Sequence, residues 1–339
     1  MFLIFTATWL AYCGSRQDNV SHPRVAVEDF MLMPRWFPSP SSLAFRRHEA
    51  VWLAAVTQSN ASGVADSERY WRIEQRCRFL VARSCPEVEP RVFPLLDGIY
   101  RKPVVPAGLL LPEDGRPDGG DDHEDARSSG VLQWLDEQPP RSVLYVALGS
   151  EAPVTAENVH ELAAGLELSG ARFLWAFRPP SGGGATAGTG APAPPLLPDG
   201  FEARARGRGA VCTGWVPQVK VLAHAAVGAF LTHCGWGSVT ESLLFGHPLV
   251  MLPFITDQGL IARIMAERGV GVEVARRDDG AFGRDDVAEA VRRVMVEEEG
   301  KTLALNARRL RQSVVGDDGG RQERYVDELV ECFRRHSFN

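Results

Sequence analysis

The chain has 339 residues, a formal net charge of -6, 45% hydrophobic and 24% charged residues. That is enough for two domains of ordinary globular composition. No basic stripe appears, which excludes a nucleic-acid footprint. Six cysteines (Cys13, Cys77, Cys85, Cys212, Cys234, Cys332) lack CxxC pairs and regular spacing, which suits reduced thiols better than a disulfide framework or a zinc site.

The opening MFLIFTATWLAYCGS has no basic residue before its apolar run and no small-x-small cleavage site. It is also too short to span a bilayer, so a buried strand running into a helix or loop is expected. Apolar pieces near 2–12 and 104–111 read as strands, with RYWRIEQRCRFLVARSC between them. No complete domain is legible before residue 112. Residues 112–130 are rich in Pro, Gly and Asp and read as an exposed linker. Within it, Asp121, Asp122, His123, Glu124 and Asp125 read as a solvated charge run, with a metal site as the alternative. A second soft stretch covers 179–195.

Beyond the linker the pattern turns regular. SVLYVALGS (142–150) is a continuous apolar run, expected as a buried strand. Val159, Leu162, Ala163 and Leu166 then mark one helix face, which Gly170 can end. Strands are expected at 172–178, 209–215, 227–233, 248–254 and 269–276, with Pro217 in the first turn of a short helix. Val287, Ala290, Val291 and Val294 mark another helix face. Residues 321–335 carry Tyr325, Leu329, Cys332 and Phe333 on one side, as a docking helix does. Apolar strands separated by single helices predict a doubly wound parallel α/β domain.

In such a fold ligands bind where strands end and helices begin. FLTHCGWGSVTES is a junction of this kind, and the start of a helix favours phosphate. His233 can donate to a phosphate oxygen, Gly235 and Gly237 let backbone approach a ligand, and Glu241 can accept from ribose hydroxyls. Plainer readings stand beside these. Ser238-x-x-Glu241 also has the capping-box pattern. His233 can be a structural histidine, Trp215 and Trp236 core residues, and Asp257-Gln258 a helix start.

Taken together, the 44 residues Trp215–Gln258 closely resemble the donor-binding signature, the PSPG box, of plant UDP-dependent glycosyltransferases. The match includes Trp-x-Pro-Gln, His-Cys-Gly-Trp, Ser-x-x-Glu and the closing Asp-Gln. YVALGS, ELAAGLELSGARFLWAFR, RSCPEVEP and YRKPVVPAGLLLP resemble other segments of the family, so the likeness runs from about Pro34 onward. It is nearest to the branch that extends sugars on flavonoid, terpenoid or saponin glycosides, which includes UDP-rhamnose:rhamnosyltransferases.

The resemblance implies an α/β fold of the GT-B type. A complete C-terminal doubly wound domain (131–320) would bind the UDP-sugar. An incomplete, Rossmann-like N-terminal acceptor domain (1–111), the linker 112–130 and a C-terminal docking helix (321–339) would complete the chain. It implies that Trp215 stacks on uracil, that the Val216 backbone pairs with the edge of the base and that Gln218 lies beside the nucleoside. Glu241 would hold the ribose hydroxyls. His233, Ser238 and Ser150 would hold the diphosphate, and Trp236, Asp257 and Gln258 would face the sugar. In the family a closing Gln accompanies glucose donors, and also rhamnosyl and xylosyl ones; a His accompanies galactose.

The implied reaction is inverting transfer from a UDP-sugar to a hydroxyl of a small glycoside, in a cytoplasmic monomer. No cofactor, metal, membrane or nucleic-acid partner is expected. Two departures stand out. Gly237 occupies a position where the family usually has Asn. The family's general-base His, near the N-terminus, has no counterpart: His22 and His48 lie in unmatched segments. No catalytic residue is therefore assigned, N-terminal truncation is expected, and a catalytically impaired UDP-sugar-binding remnant is the alternative. A nicotinamide-dependent oxidoreductase would need GxGxxG after a strand, which is absent.

Overall fold

The computed structural model describes residues 4–37, 43–110, 130–149, 152–178, 196–316 and 320–337. The expected linker, apart from Gly130, and the whole of 179–195 lie outside the described residues, as does Ser150. The chain forms two compact units. The first gathers Met1–Leu111, Gly259–Ile264 and Arg309–Asn339; the second gathers Pro112–Gln258 and Met265–Arg308.

The first unit contains more structure than its sequence suggested. Strand β1 (Ile4–Phe5) runs into α1 (Ala7–Cys13), as the opening segment predicts. Three short helices follow, α2 (Arg16–Ser21), α3 (Val27–Phe30) and α4 (Arg47–Val56), then α5 (Asp66–Arg76), β2 (Leu80–Ala82), α6 (Phe93–Tyr100) and β3 (Val104–Pro106). The strands form a parallel sheet in the order β1-β2-β3. The start of α1 is closed from a distance. Glu89, 2% exposed, accepts from the amides of Ala7 (3.1 Å) and Thr8 (2.7 Å). A buried carboxylate is costly unless bonded, and a helix N-terminus supplies the donors it needs. Burial still pushes the pKa of Glu89 upward.

The C-terminal helix, Gly320–Ser337, packs the face read from the sequence. Cys332, Leu329 and Phe333 join Phe79, Val81, Val105 and Ala107 in one cluster. The Tyr325 hydroxyl donates to Glu87 at 2.7 Å. A buried ion pair joins Glu49 and Arg263, which are 2% and 9% exposed as side chains.

In the second unit a helix over 130–136 (α7) precedes β4 (Val143–Ala147). There follow α8 (Ala156–Ser169), β5 (Arg172–Phe177), α9 (Phe201–Ala205), β6 (Gly209–Thr213), α10 (Gln218–Ala223), β7 (Val227–Thr232), α11 (Trp236–Phe245) and β8 (Leu249–Met251). Then come α12 (Gln258–Glu267), of which 259–264 belong to the first unit, β9 (Gly271–Glu273), α13 (Arg284–Met295) and α14 (Glu298–Val315), which belongs to the first unit from 309 onward. Each expected strand is present, shortened at its ends. Helix α8 ends at Gly170 with φ 72°, the left-handed cap its sequence offers. Pro217 stands at the N-cap of α10 instead of inside its first turn.

All six strands are parallel, in the order β6-β5-β4-β7-β8-β9. Strand β4 is buried at every position; helices cover both faces of such a sheet, which is why its strands carry no polar alternation. The core joins Leu144, Val146, Phe173, Trp175, Ala229, Leu231 and Val250 to Leu162, Leu166, Val287 and Val291 of α8 and α13. The strand order reverses between β4 and β7. That reversal opens a crevice at the carboxyl ends of the strands, where doubly wound sheets bind ligands.

Candidate functional site: a nucleotide-sized cavity at the sheet reversal

A cavity of about 350 Å³ sits at that crevice. Its walls come from the ends of three strands and from helices α10 and α11. Tyr145, Ala147 and Gly149 belong to β4 and its exit, and Ala176 and Arg178 to the end of β5. Gly214–Val216, Gln218 and Val219 follow β6, while Ser238 and Glu241 lie on α11. Five residues singled out from the sequence, Trp215, Val216, Gln218, Ser238 and Glu241, therefore meet on one cavity. They stand up to 26 positions apart in sequence, and only the parallel order of β6, β5, β4 and β7 makes them neighbours.

The turn from β7 into α11 is tightly built. Thr232 is fully buried and its Oγ1 accepts from the Cys234 amide at 3.2 Å. Cys234 takes φ 65°, a left-handed conformation unusual for a residue with a side chain. This turn presents His233 between two glycines. A Cβ on Gly149 would lie 2.7 Å from His233 Cε1, and one on Gly235 would lie 2.4 Å from His233 Nε2. The ring fits only because both side chains are missing. Burial holds the His233 pKa down to about 4, so the imidazole is neutral at pH 7 with one N–H to donate. Its Nδ1 is buried with no hydrogen-bond partner among the described residues. An orphaned polar atom of this kind is expected where a ligand completes the bonding.

Helix α11 starts at Trp236, with Gly235 as N-cap, a residue that has no side chain to cap it. Its first backbone bond is Val239 N to Gly235 O at 3.1 Å. The capping-box reading of Ser238-x-x-Glu241 is thereby corrected. The helix begins three residues earlier than that reading needs, so Ser238 is its third residue and Glu241 lies a turn inside. Both face the cavity. The missing side chain of Gly235 also makes room for the His233 ring. Gly237 has nothing within 4 Å of a Cβ position and stands on open space.

The remaining expected residues are not on the cavity wall. Trp236 is buried, 8% exposed. Asp257 is half-buried and accepts from the Thr256 hydroxyl at 3.1 Å. Gln258, 7% exposed, accepts on Oε1 from the amides of Phe254 (2.8 Å) and Ile255 (3.0 Å), so it ties the β8–α12 loop to the helix start.

Two wall residues with functional side chains escaped the sequence reading. Tyr145 was absorbed into an apolar strand, yet its hydroxyl donates to Gln218 Oε1 at 3.3 Å. Gln218 Nε2 in turn donates to Glu241 Oε2 at 2.6 Å. Arg178, an exposed cation at the end of β5, was read only as the close of a strand.

The cavity wall carries an indole, an amide, a hydroxyl and a carboxylate, and the His233 ring lies against the wall residue Gly149; helix starts of this kind favour phosphate. No helix among the described residues is long and apolar enough to cross a membrane.

The family described as UDP-glucoronosyl and UDP-glucosyl transferase matches residues 119–313. UDP-glycosyltransferase 91C1 of Arabidopsis thaliana is 41% identical over 339 residues, covering 98% of this chain and 68% of that protein. Soyasaponin III rhamnosyltransferase of Glycine max is 33% identical over 320 residues, covering 93% of this chain and 65% of that protein. Among solved structures, Phytolacca americana UGT2 complexed with UDP-2fluoro-glucose and pterostilbene superposes with a TM-score of 0.77 at 26% identity, over 98% of this chain and 69% of that one. The fold is of the GT-B type seen in these plant enzymes, and the chain belongs to the UDP-glucoronosyl and UDP-glucosyl transferase family.

Proposed function

We propose that the chain binds a UDP-sugar in the cavity of its second unit and transfers the sugar, with inversion, to a hydroxyl of a flavonoid or terpenoid glycoside. The observation that carries this reading is the convergence of Trp215, Gln218, Ser238 and Glu241 on one cavity beside the start of α11. In this reading Trp215 stacks on uracil and the Val216 backbone pairs with the edge of the base. Gln218 and Glu241 take the ribose. The α11 amides, Ser238, Ser150 and the single N–H of His233 take the diphosphate. Trp236, Asp257 and Gln258 address the sugar. Gln258 already accepts two backbone bonds on Oε1, so its amide N–H groups are its remaining donors.

Chemistry follows from where charge develops. The acceptor oxygen attacks C1 as the bond to UDP breaks, through an oxocarbenium-like state. Negative charge grows on the departing diphosphate, and the start of α11 and His233 stabilise it there. A neutral His233 keeps one ring N–H, so it still donates one bond to that charge.

Likeness to the soyasaponin enzyme supports a glycoside acceptor and a place in the glycoside-extending branch. An apolar cavity of about 240 Å³ in the first unit, lined by Trp9, Tyr12, Phe30, Leu53, Tyr70 and Trp71 among others, suits an apolar aglycone. Six cysteines outside any disulfide suit a reducing cytoplasm.

The test is turnover by the purified protein with UDP-glucose or UDP-rhamnose and a flavonoid glucoside. Acceptor-dependent UDP release with formation of the extended glycoside is expected. UDP binding without release would leave a donor-binding protein and overturn transfer by this chain; no binding at all would overturn the site.

A further inference from the structure

A continuous hydrogen-bonded path runs along the cavity from the middle of the sheet to the carboxylate on α11. It starts at Tyr145 on β4, the strand beside the topological reversal. Tyr145 is 1% exposed, and its ring stacks on Phe230 of β7 with centroids 5.1 Å apart and planes 20° apart. Strand β4 is hydrogen-bonded on both sides, to β5 and β7. The phenol is therefore anchored on one of the most constrained elements of the unit. Burial pushes its pKa up, so the hydroxyl keeps its proton.

The other end of the path is different. Gln218 is the first residue of α10, and Glu241 lies on α11. Both are only half-buried. A glutamine has three rotatable bonds, and its amide can present either oxygen or nitrogen to a neighbour. Here the Tyr145 hydroxyl donates to Oε1 at 3.3 Å, and Nε2 donates to Glu241 Oε2 at 2.6 Å. An amide held at its oxygen end has its nitrogen aimed in one direction. It takes up one carboxylate oxygen of Glu241 and leaves Oε1 as the acceptor for an incoming hydroxyl. Without the phenol the amide can swing, and the plane of the carboxylate is no longer fixed.

We propose that Tyr145 is a positioning residue for ribose: acting through Gln218 it orients the Glu241 carboxylate, so that the site selects a nucleotide with a 2′-hydroxyl over its 2′-deoxy counterpart. The inference rests on the reading that the cavity takes UDP. Tyr145 itself touches no sugar atom in this scheme. Its effect appears only through the hydroxyl pair that Glu241 accepts.

The experiment is calorimetric titration of UDP and 2′-deoxy-UDP into wild type, Tyr145→Phe, Gln218→Ala and the double variant. Wild type prefers UDP. Tyr145→Phe keeps the ring and its stacking and removes one long hydrogen bond. It weakens UDP about 3- to 10-fold and leaves 2′-deoxy-UDP within about 2-fold. In the Gln218→Ala background the same change costs nothing further, because the path is already broken. A purely structural tyrosine would move both nucleotides equally and lower the melting temperature with them. Equal weakening of both nucleotides overturns the proposal, as does no change, or an undiminished loss in the Gln218→Ala background. In each of those cases wild type still binds UDP and the donor-site reading stands. Wild type that binds no UDP removes both.

Discussion

Gly235→Ala tests the two-glycine seat of His233. The backbone at 235 has φ -59° and ψ 134°, which an alanine adopts without strain, so the outcome depends on packing alone. The new methyl would lie 2.4 Å from His233 Nε2 and 2.8 Å from Cε1. Carbon contacts settle near 3.5–4.0 Å, so the ring must move by roughly an ångström. Gly149, whose own Cβ position lies 2.7 Å from Cε1, is close by and limits where it can go. Overpacking of this kind costs about 1–3 kcal/mol of stability. A displaced imidazole also loses its bond to the diphosphate. A bond to a charged group is worth about 1.5–3 kcal/mol, so UDP affinity falls roughly 10- to 100-fold. Calorimetry with UDP, with uridine as the phosphate-free control, separates the effects: uridine affinity stays within about 2-fold. Gly237→Ala, two residues along, is the contrast. Its Cβ meets nothing within 4 Å, and alanine is the better helix former by up to about 1 kcal/mol. Gly235→Ala protein that bound UDP as wild type does would refute the seat and the role of His233 together.

Three further outcomes follow from other parts of the molecule. Gly237→Asn has open space for its side chain beside the α11 start, and a new bond to the diphosphate tightens UDP about 10-fold or more; calorimetry showing equal or weaker binding counts against the diphosphate being there. His233 titrates in the unfolded chain near its ordinary value of 6.5 but in the fold only at about 4. Between those values the unfolded state binds the extra proton, so stability is whole above pH 6.5 and is lost as pH falls toward 4, by about 3 kcal/mol. His247, lowered likewise by burial, adds to the slope. Urea titrations of wild type and His233→Gln across this range check it, with a shallower slope expected in the variant. In the first unit, Glu49→Ala strands the buried Arg263 guanidinium and destabilises by about 3–5 kcal/mol; a change in urea midpoint worth under 1 kcal/mol would show the pair to be solvated.

The second unit was legible because its strands are buried on both faces. Runs such as VGAFLT and VLYVA have no reading other than a core strand once helices of fixed period separate them. The first unit was not, because α2 and α3 have only six and four residues, too few for a period to emerge. Its helix-start partner Glu89 lies 82 positions from Ala7, a pairing no local pattern can announce. Within the site, residue types at helix and strand ends were readable, since Trp215, His233 and Glu241 carry their chemistry openly. Their supports were not. Tyr145 looked like one more apolar strand residue, and nothing in sequence shows that its hydroxyl ends beside Gln218. Gly235 was read only for close approach of a ligand, and its missing side chain also serves a histidine two positions away. The Ser-x-x-Glu spacing fits both a cap and a cavity wall, and only the start of α11 at Trp236 separates them.

The central claim is that one nucleotide occupies the crevice between the ends of β4, β6 and β7. A crystal structure with UDP tests it most directly. The account predicts uracil against Trp215, ribose hydroxyls on Glu241 and the diphosphate at the start of α11 beside His233. Ordered UDP elsewhere, with the Trp215–Glu241 cavity filled only by solvent, would contradict it.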